Sequence, residues 1–219
     1  MPWPSPRPHG PLVFYVTDRR AFAAAEPHDT SLLLDRIALA AAAGVDAIHI
    51  REKDLPARAL LELTQSALSR TLHSKLFVND RLDVALAAGA AGVHLGEESI
   101  SVGDVAKFRA AGRAPAGFLV GRSCHSLPAA LQAERDGADY IFFGPVFATP
   151  SKAEFGAPQG TEALAAVCRA VRIPVVAIGG ITLENAASCT AAGAAGIAAI
   201  RLFQEVEDLQ AVRRALRQE

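Results

Sequence analysis

The chain has 219 residues and 51% of them are hydrophobic, enough for one domain with a sizeable core. A formal net charge of −1 excludes a protein-wide attraction to nucleic acid or to an anionic membrane, so any anion must be held by a local site. Cys124, Cys168 and Cys189 stand far apart with no CxxC pair, which gives no support for a zinc site or disulfide framework and suits reduced, packed thiols.

Residues 1–11 form a proline-rich arm without the apolar run of a signal peptide, and nowhere do about 18 charge-free apolar residues follow one another. A soluble cytoplasmic protein is expected, with neither membrane nor nucleic acid as a partner. From residue 12 onward no composition break divides the chain, so 12–219 reads as one unit.

Short apolar runs at Leu12–Val16, 76–78, 118–120 and Val175–Ile178 alternate with four segments that echo one another. These are Gly44-Val-Asp-Ala-Ile-His-Ile, Gly89-Ala-Ala-Gly-Val-His-Leu, Gly137-Ala-Asp-Tyr-Ile-Phe-Phe and Gly193-Ala-Ala-Gly-Ile-Ala-Ala-Ile. Each echo opens on a glycine suited to a left-handed helix C-cap before the chain turns into a strand. Helical patterns follow at 30–43, 57–71, 81–88, 127–136 and 182–192. Eight strand–helix units in about 200 residues predict α/β architecture, a single (β/α)8 TIM barrel of parallel strands.

In such a barrel, chemistry belongs where strands end and loops begin. The second strand ends in His49-Ile-Arg51-Glu-Lys53; period-two alternation puts His49 and Arg51 on one face, and arginine with lysine suits phosphate or diphosphate. An arginine–glutamate pair locking a barrel layer is the structural alternative. The third strand ends in Asn79-Asp80, read as a ligand or metal contact at Asn79, with Asp80 equally suited to cap the helix that follows. His94 in the fourth strand reads as a core histidine with a satisfied hydrogen bond, followed by Gly96-Glu-Glu-Ser99.

The fifth strand leads into Gly121-Arg-Ser123-Cys-His125-Ser126, where His125 can exchange protons near neutral pH and Ser126 can instead cap the next helix. After the sixth strand, 144–160 is long, rich in small residues and carries Thr149 and Lys152, as a lid over an anion would. Gly179-Gly180 after the seventh strand and Arg201 after the eighth stand where this barrel class binds phosphate.

Taken in order, Tyr15-Val-Thr-Asp, Arg51-Glu-Lys, Val78-Asn-Asp-Arg, Gly92-Val-His-Leu-Gly, Gly121-Arg-Ser-Cys-His-Ser, Gly144-Pro-Val-Phe, Thr149-Pro-Ser-Lys and Ala177-Ile-Gly-Gly-Ile resemble the thiamine-phosphate synthase/TenI family from residue 12 to about 203. The resemblance implies one of two activities. Synthases join a pyrimidine diphosphate to a thiazole phosphate with magnesium and release pyrophosphate; TenI-type tautomerases aromatise a thiazole phosphate carboxylate without a cofactor.

By position, Arg51, Lys53, Asn79 and Lys152 resemble the diphosphate contacts, Asp80 a Mg2+ ligand, Ser123 and Thr149 further site residues, and Gly179 and Gly180 the thiazole-phosphate cradle. Three positions depart from the synthase pattern: His49 replaces a pyrimidine-contacting glutamine, Ser99 a second magnesium aspartate, and Arg201 a serine. Glu97 or Glu98 could stand in for that aspartate by a loop shift. These departures favour a thiazole tautomerase in which His125 moves the proton, with thiamine-phosphate synthase as the alternative and a non-catalytic thiamine-phosphate binder as the third reading. The implied partner is a small phosphorylated thiazole or thiamine-related ligand, and the resemblance alone suggests a homodimer.

Overall fold

The structure, a computed structural model, describes residues 10–22, 30–149 and 157–217. Eight parallel strands close into a barrel in chain order: β1 (Leu12–Val16), β2 (Ala47–Ile50), β3 (Lys75–Asn79), β4 (Gly92–Leu95), β5 (Leu119–Cys124), β6 (Tyr140–Phe143), β7 (Val175–Ile178) and β8 (Gly196–Ala199). The ring closes where β1 pairs with β8, Phe14 lying opposite Ala198. Outside it run α1 (Ser31–Ala42), α2 (Ala57–Leu68), α3 (Leu82–Ala88), α4 (Val102–Ala110), α5 (Leu127–Arg135), α6 (Gly160–Ala170), α7 (Ala186–Ala191), α8 (Arg201–Gln204) and α9 (Leu209–Arg217). The TIM barrel expected from the repeat is therefore the fold.

Alternation along each strand sorts the core into two layers. Val13, Tyr15, Ile48, Ile50, Val93 and Ile141 face the helices, while Phe14, Phe77, Tyr140, Phe142 and Val176 fill the barrel axis. Four aromatic rings cannot share that axis unless other inward positions are small. Gly92 is one such position: a Cβ there would stand 2.9 Å from the Phe77 ring and closer still to the Leu119 carbonyl. The echo glycines do what the pattern required, since Gly44, Gly89, Gly137 and Gly193 all have positive φ between a helix and the next strand.

At the bottom of the barrel, buried Asp46 accepts from the Val13 amide at 2.8 Å and from Arg217 of α9 at 2.9 Å, so the last helix is pinned across that end. Ligand access is left to the opposite end.

Two elements differ from the sequence pattern. α7 begins at Ala186 rather than 182, because Asn185 Oδ1 takes the Thr182 amide at 2.8 Å and its amide group donates to the Gly180 carbonyl at 2.8 Å. These local side-chain bonds compete with the first helical turn. β5 runs on through Arg122 and Ser123 because both neighbouring strands continue its ladder, Arg122 lying opposite Leu95 and Ile141. No helix among the described residues is long and apolar enough to cross a membrane.

Candidate active site

The C-terminal mouth of the barrel gathers most of the residues singled out along the chain. His49 points inward on β2 next to His94 of β4, with ring centroids 4.6 Å apart. Asn79 ends β3 directly opposite His94 in the ladder, and Ser123 of β5 bonds to His94 Nε2 at 3.0 Å. Just outside, Lys53, Glu52, Asn79 and Asp80 line a cavity of about 240 Å3 walled by Leu55 and Leu60. Arg51 is half-buried and Lys53 exposed, as suits cations that receive an anion from solvent.

Asp80 is the strained member of the group. It is the one non-glycine residue with positive φ (+61°) among the described residues, a conformation that strained functional positions often adopt. Its side chain does not cap α3; the N-cap position is Arg81, with no side-chain capping bond. The capping alternative thus fails, because the carboxylate turns instead towards the β4 loop. There Oδ1 accepts from the Gly96 amide at 2.8 Å and from the Ser99 hydroxyl, while Oδ2 accepts from Asn79 Nδ2 at 2.5 Å. Glu97 and Glu98 are exposed, and Ser99 is the residue of that loop whose side chain reaches Asp80.

Beneath Arg51 lies a buried polar lock that the sequence did not disclose. Glu52 is 4% exposed and bonds not to its neighbour Arg51 but to Thr17 Oγ1 at 2.6 Å, the Arg19 amide at 3.1 Å and the Arg19 guanidinium at 3.1 Å. Arg19 also grips Asp54 through two bonds of 2.7 and 2.8 Å, holding that carboxyl down at about 2. Burial pushes Glu52 up against the opposing pull of Thr17 and Arg19. Thr17 Oγ1 in turn accepts from the Arg51 amide at 3.0 Å, so the network fixes the backbone from which Arg51 and Lys53 project. The Thr-Asp of the first strand's end was the available signal.

The two interior histidines have different surroundings. His94 is fully buried and bonds to Tyr140 Oη at 3.2 Å and Ser123 Oγ at 3.0 Å, so the reading of a satisfied core histidine holds. His49 is 2% exposed, yet neither ring nitrogen has a hydrogen-bond partner among the described residues. Burial, and secondarily the Arg51 charge, pushes its pKa down to about 3, so the ring is neutral. It cannot meet a phosphate as a cation; it can meet a neutral polar group.

Across the mouth, half-buried His125 follows β5 with Nδ1 bonded to the Gly144 carbonyl, which leaves Nε2 as the nitrogen able to accept a proton. Ser126 caps α5 by accepting from the Ala129 amide at 3.3 Å. Cys124 faces the helices, and burial pushes its thiol up to about 12, so it packs rather than reacts.

Gly179 and Gly180 both have positive φ and press against the β6 loop; a Cβ on Gly179 would stand 2.6 Å from Pro145 Cα, and one on Gly180 2.5 Å from the Ala148 carbonyl. Gly179→Ala is expected to cost about 2 kcal/mol or more, read as a lower urea midpoint; an unchanged midpoint would mean the two loops are not rigidly packed. Arg201 is exposed at the start of α8, and Thr149 is half-buried at the edge of the described loop. Lys152 lies outside the described residues.

A sequence profile described as thiamine monophosphate synthase matches residues 14–203. The thiamine-phosphate synthase of Roseiflexus castenholzii is 41% identical over 217 residues, covering 98% of this chain and 90% of the relative. That of Methanoculleus marisnigri is 46% identical over 185 residues, covering 84% and 85% respectively. Among solved structures, thiamine phosphate pyrophosphorylase from Pyrococcus furiosus superposes with a TM-score of 0.79 at 36% identity, over 94% of this chain and 93% of its own. These relatives carry the name of the second activity weighed from the sequence, not of the favoured tautomerase. The chain belongs to the thiamine monophosphate synthase family, whose profile spans all eight strands but the first two residues of β1.

Proposed function

We propose that this chain is a thiamine-phosphate synthase, joining a pyrimidine diphosphate to a thiazole phosphate with loss of pyrophosphate. The observation that carries this reading is the Asp80 cluster: a carboxylate in a strained conformation, beside Asn79 and Lys53, lining a cavity sized for a small anion. The relatives named above support the same choice. In the reaction a C–O bond to the diphosphate breaks as a C–N bond to the thiazole nitrogen forms, so the work of the site is to take up negative charge on the departing group. Arg51 and Lys53 supply fixed cations for it, and Asn79 and Ser123 supply neutral donors.

The donor set fits Mg2+, which takes hard oxygens, usually one or two carboxylates completed by substrate phosphates and water. Asp80 and the Ser99 hydroxyl would hold it, an aspartate with a hydroxyl replacing the pair of aspartates that the resemblance implies. When bound, the ion supplies further positive charge to the diphosphate.

Under this reading, the purified chain given the non-aromatic thiazole phosphate carboxylate alone produces no isomerisation above the buffer rate by ultraviolet absorbance. Given thiazole phosphate instead, it forms product only when pyrimidine diphosphate and magnesium are also present. Isomerisation without either, lost in His125→Ala, would replace the synthase reading with the tautomerase one, which the Nε2 left over by the Nδ1 bond of His125 favours chemically.

A further inference from the structure

We infer that Tyr140, His94 and Ser123 form a one-way hydrogen-bond relay, running from the barrel axis to the mouth, that fixes the Ser123 hydroxyl as a donor to the bound ligand. The inference rests on the synthase reading for the identity of that ligand, but not for the relay itself.

The geometry is a continuous chain. Tyr140 and His94 are both fully buried, Tyr140 Oη lies 3.2 Å from His94 Nδ1, and His94 Nε2 lies 3.0 Å from Ser123 Oγ. Ser123 is half-buried, so the chain begins in the closed interior and ends at the accessible mouth. Gly121 makes the first link fit: a Cβ there would overlap Tyr140 Cζ and stand 2.5 Å from His94 Nδ1. Its φ is not positive, so the glycine serves space rather than backbone conformation. Phe142 packs against His94 with ring centroids 4.3 Å apart and planes tilted by 40°, which limits rotation of the imidazole.

Proton positions follow from the partners. Burial, helped by neighbouring His49 and Arg122, keeps His94 neutral, so the ring carries one N–H. Burial also keeps the Tyr140 phenol protonated, and a phenolic O–H is a better donor to an imidazole nitrogen than the phenol oxygen is an acceptor from one. Tyr140 therefore donates to Nδ1, the ring proton sits on Nε2, and Nε2–H donates to Ser123 Oγ. With that oxygen already accepting, the serine's own hydrogen is turned away from His94. It presents a donor on the same mouth as Arg51 and Asn79, where the ligand acceptor is a diphosphate or ring heteroatom. Aligned bonds of this kind polarise one another in a water-excluded interior.

The test uses the full chain with 15N-labelled histidine. Ring-nitrogen NMR is expected to show His94 with a bare Nδ1 and a protonated Nε2, unchanged between pH 5.5 and 8. The opposite tautomer, or a cation in that range, would overturn the relay whatever the protein catalyses. Steady-state kinetics with pyrimidine diphosphate, thiazole phosphate and magnesium supply the functional arm. Tyr140→Phe is expected to lower kcat/KM about three- to tenfold, and Ser123→Ala by about tenfold or more. Tyr140→Phe should cost nothing further in the Ser123→Ala background, because it acts through that hydroxyl. Losses that multiply, or no loss in the Tyr140→Phe single variant, would refute the relay. A wild-type chain that forms no product would instead refute the synthase reading, leaving the NMR result to decide the relay.

Discussion

Asp80→Asn is expected to lower thiamine-phosphate formation by about 10²- to 10³-fold while the barrel stays folded. Asparagine tolerates the left-handed backbone at φ +61° better than other non-glycine residues, so the substitution removes charge without releasing the strained turn. One amide oxygen can still accept from the Gly96 amide and the Ser99 hydroxyl. The new amide nitrogen, however, faces Asn79 Nδ2, which now donates to Oδ2, at a cost of about 1 kcal/mol. What disappears is the carboxylate that would hold magnesium against the diphosphate. Product formation measured across a magnesium titration, with urea unfolding in parallel, separates the two effects. Turnover within twofold of wild type would show that Asp80 is merely a loop tie.

Ser99→Asp is the complementary change. It sets two carboxylates at hydrogen-bond distance with no cation between them, so the variant is expected to unfold at lower urea than wild type and to recover when magnesium is added. Indifference of its midpoint to magnesium would argue against a metal site at this pair.

The barrel was legible because its signals are local. A left-handed glycine before each echo strand and a continuous apolar run within it depend on neighbours in sequence, and Gly44, Gly89, Gly137 and Gly193 adopt the required backbone. Strand-end residues were legible one by one for the same reason, since alternation alone puts His49 and Arg51 on a common face. Partner choice was not. That Glu52 pairs with Arg19 and not with adjacent Arg51 depends on how the β1 and β2 loops meet, and that Tyr140 reaches His94 depends on the register across β4, β5 and β6 and on the space left at Gly121. The weight given to His49, Ser99 and Arg201 had a related origin: single departures from a motif were read as a change of activity, whereas Ser99 still delivers an oxygen to Asp80.

Acidification from pH 7 to pH 5 should destabilise the fold by up to about 4 kcal/mol, and His49→Gln should remove about half of that loss. Both interior histidines are neutral in the folded state: burial drives His49 down to about 3 and His94 well below its ordinary value. In the unfolded chain each titrates near 6.5, so between that value and the folded pKa the unfolded state binds more protons. Stability contributed by the neutral rings is therefore fully present above about pH 6.5 and is lost as pH falls below it, at about 1.4 kcal/mol per unit for each ring. Glu52 works the other way: burial raises its folded pKa, so as pH falls towards the carboxylate range its protonation offsets part of the loss. Asp54, held down at about 2 by Arg19, adds to the loss only at lower pH still. Because Glu52 is common to both chains, the difference between wild type and His49→Gln isolates the His49 share. Urea midpoints at pH 7, 6 and 5 for wild type and His49→Gln check the sign and the share. A midpoint that does not fall with pH would mean that the rings accept protons inside the barrel, and a neutral floor beneath Arg51 would have to be abandoned.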